Sequence, residues 1–226
     1  MKTLAVLLAI PTLLLGWLHL RDARIESRLE PVASAIADRD VSVDCQGYLG
    51  SLVDAQARHG EVRFDAAGEP EPRIFLTRST CGRLRRFASG SRGELACLAE
   101  LDWARRTPLV PGSPCYRRSS PTIYALLVLA HEAYHTAGST DEAATNCYAI
   151  QAMAYAATAL GAAEPHALLL AQAMATLAPL QRGDYRTAEC RPGSKLDLNP
   201  ATPSFPTELP IVPPHRAKPD FATDCC

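Results

Sequence analysis

Ile123-Tyr124-Ala125-Leu126-Leu127-Val128-Leu129-Ala130-His131-Glu132-Ala133-Tyr134-His135 is an apolar run that ends in His-Glu-x-x-His. Its length without a turn residue predicts a helix, and its apolarity on nearly every side predicts a central one. On a helix, residues 131 and 135 lie one turn apart on the same face, roughly 6 Å along the axis. Two imidazoles so placed can bind one Zn²⁺. Glu132, turned about 100° round the axis, can then serve as general base toward a water at the ion. Two helix-terminal histidines favoured by the macrodipole, with Glu132 merely solvated, would give the same five letters. The apolar approach argues against that, because it turns the motif inward.

The turn that follows, Thr136-Ala137-Gly138-Ser139-Thr140-Asp141-Glu142, delivers two carboxylates. Gly138 suits the position just past a helix end, and Ser139 with Glu142 forms a capping-box pattern for the next helix. A catalytic zinc takes three protein ligands and keeps one position open. Asp141 and Glu142 are the candidates for the third. The chain re-enters a helix directly after Gly138, which favours Glu142.

With Asp141, the stretch reads H-E-x-x-H-x-x-G-x-x-D and resembles the metzincin pattern of small neutral proteases of the snapalysin type. No Met-turn accompanies it, since Met153 and Met174 both fall in helical stretches. The wider segment from His131 to Gln151 is similar to a group of small exported bacterial proteins regarded as zinc metallopeptidases. In that group an acidic residue, Cys-Tyr-Ala and a Gln follow the motif, and a later Tyr-Arg-x-x-Glu-Cys-Arg-x-Gly leads into Asp-Leu and Pro. Here these are Tyr185 to Gly193 and Leu196-Asp197-Leu198-Asn199-Pro200. The resemblance covers residues 41 to 206. It implies a zincin-like core and a Zn²⁺ cofactor but brings no known substrate with it; a peptide or protein substrate is what the peptidase reading itself expects.

A length of 226 residues suits one ordinary domain with tails. A net charge of −1 gives no electrostatic case for nucleic acid or an acidic polymer. The short clusters Arg83-Leu84-Arg85-Arg86 and Arg117-Arg118 read as solvated surface. Lys2 followed by the apolar stretch Leu4 to Leu20 reads as an export signal or membrane anchor over residues 1–20. No small-x-small cleavage site follows directly, which favours an uncleaved anchor with the domain outside; secretion is the alternative. Eight cysteines behind an export signal favour disulfides, and no C-x-x-C pair suggests a structural zinc. Local pairing joins Cys45 with Cys81, Cys97 with Cys115 and Cys147 with Cys190. Cys225 and Cys226 are left for a partner or an upstream cysteine.

The expected architecture is α+β and predominantly helical: a central His-Glu-x-x-His helix packed on alanine-rich helices, stapled by disulfides. Residues 21–40 read as a charged stalk, 41–191 as the domain and 192–226 as a proline-rich tail holding eight of the 18 prolines. Cys45 to His59 is expected helical, 62–64 and 73–77 strands, Cys81 to Ala88 a short helix and 89–121 loops. The motif helix is expected over 122–137, with Ser120 as cap and Pro121 in its first turn. Helices follow at 140–160 and 164–178. Met153, Met174 and Leu168 to Leu170 read as core, whereas His59, His166 and His215 are poor ligand candidates. Tyr134, Tyr148 and Tyr185 could each donate to an oxyanion, and nothing local selects one. The function expected is an exported zinc peptidase. A disulfide-stapled binding or envelope module with a structural or vestigial metal site is the alternative.

Overall fold

The computed structural model describes residues 2–46, 59–101 and 109–201, with the backbone alone for 2–15, 17 and 18. Helix α1 (Lys2–Ala37) leads into strands β1 (Ser42–Cys45), β2 (Gly60–Phe64) and β3 (Pro70–Leu76). Then come helix α2 (Arg78–Ala88), a three-ten segment (Gly93–Glu100), and helices α3 (Pro114–Thr136), α4 (Glu142–Ala159) and α5 (Glu164–Leu177). The predominantly helical α+β character matches the sequence pattern, and so do the three disulfides Cys45–Cys81, Cys97–Cys115 and Cys147–Cys190.

The motif helix α3 is buried over nearly its whole length from Ser119 to Thr136. It begins two turns earlier than expected. Ser113, not Ser120, caps it, its side chain accepting from the Tyr116 amide, and Pro114 occupies the first turn. The chain carries two Ser-Pro pairs, and the upstream one starts the helix while Pro121 is tolerated inside it. Its first turn is tied by the Cys97–Cys115 bond to the three-ten segment, so the described parts of the expected loop region, 89–101 and 109–121, carry helical turns. The alanines of α4 let it lie close against α3 and α5, with Ala149, Ala152, Ala156 and Ala157 fully buried.

The stretch expected as a stalk belongs to the core instead. Ile25, Leu29, Val32 and Ile36 of α1 are at most 2% exposed, and burying each such side chain contributes about 1.5–3 kcal/mol. Arg39 donates to the Thr136 carbonyl at 3.1 Å and so joins the end of α1 to the end of the motif helix.

The sheet has the order β1-β3-β2, with β1 parallel and β2 antiparallel to β3. The β2–β3 turn is organised by Asp65, whose carboxylate accepts the amides of Ala67 and Glu69, with Gly68 at φ 81°. β3 ends at Leu76 because Thr77 turns to cap α2. The expected helix Cys45 to His59 loses Cys45 to β1, and 47–58 lie outside the described residues.

The start of the expected tail is anchored. Gln151 of α4 donates to the Leu196 carbonyl and accepts the Leu198 amide, both at 2.8 Å, so Leu196 and Leu198 are buried. Residues 202–226, with Cys225, Cys226 and His215, lie outside the described residues. Among the described residues, no helix is long and apolar enough to cross a membrane.

Candidate metal centre

His131 and His135 project from the last turns of α3, and Glu142 is the first residue of α4. Between them Gly138, at φ 101°, ends α3 in the left-handed conformation expected of it. The next helix is capped differently from the capping-box expectation. Asp141 caps α4, its carboxylate accepting the Ala144 amide at 2.7 Å, while the Ser139 hydroxyl bonds that of Thr145 at 2.6 Å. Capping directs the exposed Asp141 side chain to the backbone of its own helix. Glu142 is thereby left to reach the histidines, and the described residues bring together His131, His135 and Glu142 as a group that could hold a metal ion. Asp141 is not in that group.

The atoms converge closely. Nε2 of His131 lies 2.9 Å from Nε2 of His135 and 3.0 Å from Oε2 of Glu142, and the second histidine lies 3.5 Å from the same oxygen. Three ligands on one tetrahedral zinc would stand about 3.3 Å apart, taking metal–ligand distances of about 2.0–2.1 Å. The donor set therefore fits such an ion with little movement. Tautomer assignment supports the fit. The Ser139 carbonyl, which can only accept, lies 2.7 Å from Nδ1 of His135. Nδ1 therefore donates, and in the neutral ring Nε2 carries a lone pair toward the point of convergence.

Electrostatics act on the two histidines in opposite directions. Burial lowers the pKa of His131 and prevails over its hydrogen bond to Glu142, which favours the neutral, ligating form. At His135 burial also opposes the charge. The Glu142 hydrogen bond, the Glu132 charge and the Ser139 carbonyl outweigh it, so this pKa rises. Hydrogen bonds from His131 and then His135 hold the Glu142 carboxyl well below the usual carboxylate range. A strongly ionised acid beside two buried imidazoles is the charge pattern a divalent cation would complete.

Glu132 is buried at 7% exposure. Strand β2 comes so close here that a Cβ on Gly60 would lie 2.8 Å from its Cγ and 3.0 Å from its Oε1. Gly60 thus permits the approach of β2 to the motif helix, and Phe64 at the other end of β2 meets His135 edge-on at 6.4 Å.

The structure separates the three tyrosines. Tyr134 and Tyr148 pack on each other, and Tyr134 is fully buried. Tyr185 is half-buried, with its ring 5.7 Å from that of His131. Burial first, then the charges of Glu142, Asp184 and Glu132, raises its pKa and keeps its hydroxyl protonated. Asn146, one turn beyond Glu142 on α4, places this segment: its amide donates to the Tyr185 carbonyl at 2.9 Å and to Gln181 at 2.6 Å. The Cys147–Cys190 bond closes the same segment onto α4. Beside the centre lies a cavity of about 420 Å³, lined by Ala143, Asn146, Ile150, Ala175, Pro179 and Tyr185 among others.

Gly60, Phe64 and Asn146 carry no sequence signal of a site. Each matters only through contacts with residues more than thirty positions away. Comparison of the chain with protein-family models, with curated proteins and with solved structures finds no match.

Proposed function

We propose that this chain is an exported zinc-dependent peptidase in which His131, His135 and Glu142 hold the ion and Glu132 is the general base. The observation that carries the reading is the convergence of two Nε2 atoms and one carboxylate oxygen within 3.5 Å beside a buried glutamate. Two imidazoles and one carboxylate with no fourth side chain among the described residues suit a catalytic zinc more than a closed structural one. When bound, zinc would acidify a water and polarise a carbonyl.

The chain's own groups supply the rest. Glu132 takes the proton of the attacking water and passes it to the leaving amine. Tyr185 donates its hydroxyl to the developing oxyanion. Strand β2, paired on one side with β3 and running beside Glu132, offers an edge to an extended peptide. The cavity beyond Tyr185 takes a side chain of that peptide. Three disulfides suit an extracellular compartment, and the stretch Leu4 to Leu20 would hold the protein at a membrane.

Zinc stoichiometry by elemental analysis, on the wild type beside His131→Ala, tests the site. One zinc in the wild type and none in the variant is expected, and equal, negligible metal in both would sink the proposal. Glu132→Gln then separates catalysis from a structural zinc. It should keep the metal and lose turnover of a peptide library.

A further inference from the structure

Remote from the metal centre, the arginines read as solvated surface do not stand apart. Arg78, Arg83, Arg85 and Arg86 of α2 and Arg21 of α1 line one cavity of about 490 Å³. Its floor is the Cys45–Cys81 bond and the first turn of α2, with Ser79 and Gly82, where the helix dipole adds positive potential. Acids stand around it as well, with Asp44 and Glu30 beside Glu26. Asp22, the one carboxylate in the lining, lies 3.6 Å from Arg21 and 3.5 Å from Arg85. Glu94 takes Arg83 at 3.4 Å, and Glu26 is committed to the Cys45 amide at 2.8 Å.

Five arginines therefore line a cavity whose lining holds one carboxylate. Three of the five are partly withdrawn from water, the side chains of Arg21, Arg83 and Arg85 being 26, 35 and 30% exposed, while Arg86 is exposed. Burial, and then the charges of Arg21, Arg86 and Arg78, push the Arg85 pKa down despite Asp22. Like charges held together in partial burial favour an anion between them, and guanidinium groups match phosphate oxygens in geometry as well as charge.

We propose that this cavity binds a phosphate-bearing anion, presented by a phospholipid headgroup or free in solution. The headgroup has a structural reason. Helix α1 is continuous from Lys2, so Arg21 and Asp22 lie at the foot of the apolar stretch, directly after Leu20, which is 62% exposed. Inserting that stretch into a leaflet would bring the arginines to headgroup level. The site is independent of the metal centre.

The test uses the full chain in mild detergent and calorimetric titration with three probes: water-soluble short-chain phosphatidylglycerol, short-chain phosphatidylcholine and inorganic phosphate. Phosphatidylglycerol should bind, and Arg78→Gln/Arg86→Gln should weaken it about thirty-fold, from about 1 kcal/mol per arginine. Arg118→Gln/Arg191→Gln, at exposed arginines elsewhere, should leave the affinity unchanged. Equal affinity for inorganic phosphate assigns the site to a free anion. No binding of either anion, or equal weakening by the two double variants, overturns the proposal. Unchanged zinc content in the variants shows that they fold.

Discussion

The two edges of the small sheet are treated in opposite ways. At the β1 edge, helix α1 supplies carboxylates to the strand: Glu26 accepts the Cys45 amide at 2.8 Å and Glu30 the Val43 amide at 3.4 Å. Side chains thus occupy the donors that another strand would seek. At the β2 edge, no described strand continues the sheet, and the neighbours are Glu132 and His135 of the motif helix. An exposed edge invites pairing with another chain, and proteins cover edges that have no use. On the proposed function, the edge left beside the metal-type cluster is the working side.

That contrast can be broken by experiment. The largest effect should come from Glu132→Gln, which is expected to lower peptide turnover about a hundred- to ten-thousandfold with zinc retained. Turnover close to wild type would strip the β2 edge of its catalytic neighbour. Tyr185→Phe should cost about a hundredfold in kcat with little change in KM, as loss of one oxyanion donor does. A change in KM alone would make Tyr185 a wall of the site rather than a donor. Gly60→Ala should push β2 away from Glu132 and Val128, where a Cβ would sit at 2.8 Å. A fall in kcat/KM of about tenfold is expected, as misplacement near the chemistry produces. Full activity in a folded Gly60→Ala protein would show that the β2 edge does not guide substrate. On the closed edge, Glu26→Gln should leave turnover unchanged. It should cost about 1 kcal/mol of stability in a denaturant titration, through a weakened hydrogen bond to the Cys45 amide.

Much of this arrangement is legible from local pattern. An apolar run ending in two histidines four apart, a glycine past the helix end and cysteines near one another in sequence each carry their own signal, and helices, turn and disulfides follow. The choice between Asp141 and Glu142 is not local. Either carboxylate could cap or ligate, and capping of Ala144 by Asp141 settles which side chain meets the histidines. The role of α1 was present but masked. Ile25, Leu29, Val32 and Ile36 follow helical spacing, yet the intervening Glu and Arg residues give the stretch the look of a solvated stalk. Tyr185 and the arginine cavity depend on segments that meet only in three dimensions, so no window of sequence contains them. The start of α3 is hidden for another reason, because two Ser-Pro pairs give the same cue.

The entry of α1 into the core has a mechanical meaning. A catalytic head on a flexible stalk sweeps a volume and meets targets at many heights. Here the segment after Arg21 is a stiff post built into the head itself, pinned to the motif helix by Arg39. Whatever grips the N-terminal stretch would also set the reach of the candidate metal centre. Substrates would then be selected by how far their scissile bond stands from that grip, before any side chain is read.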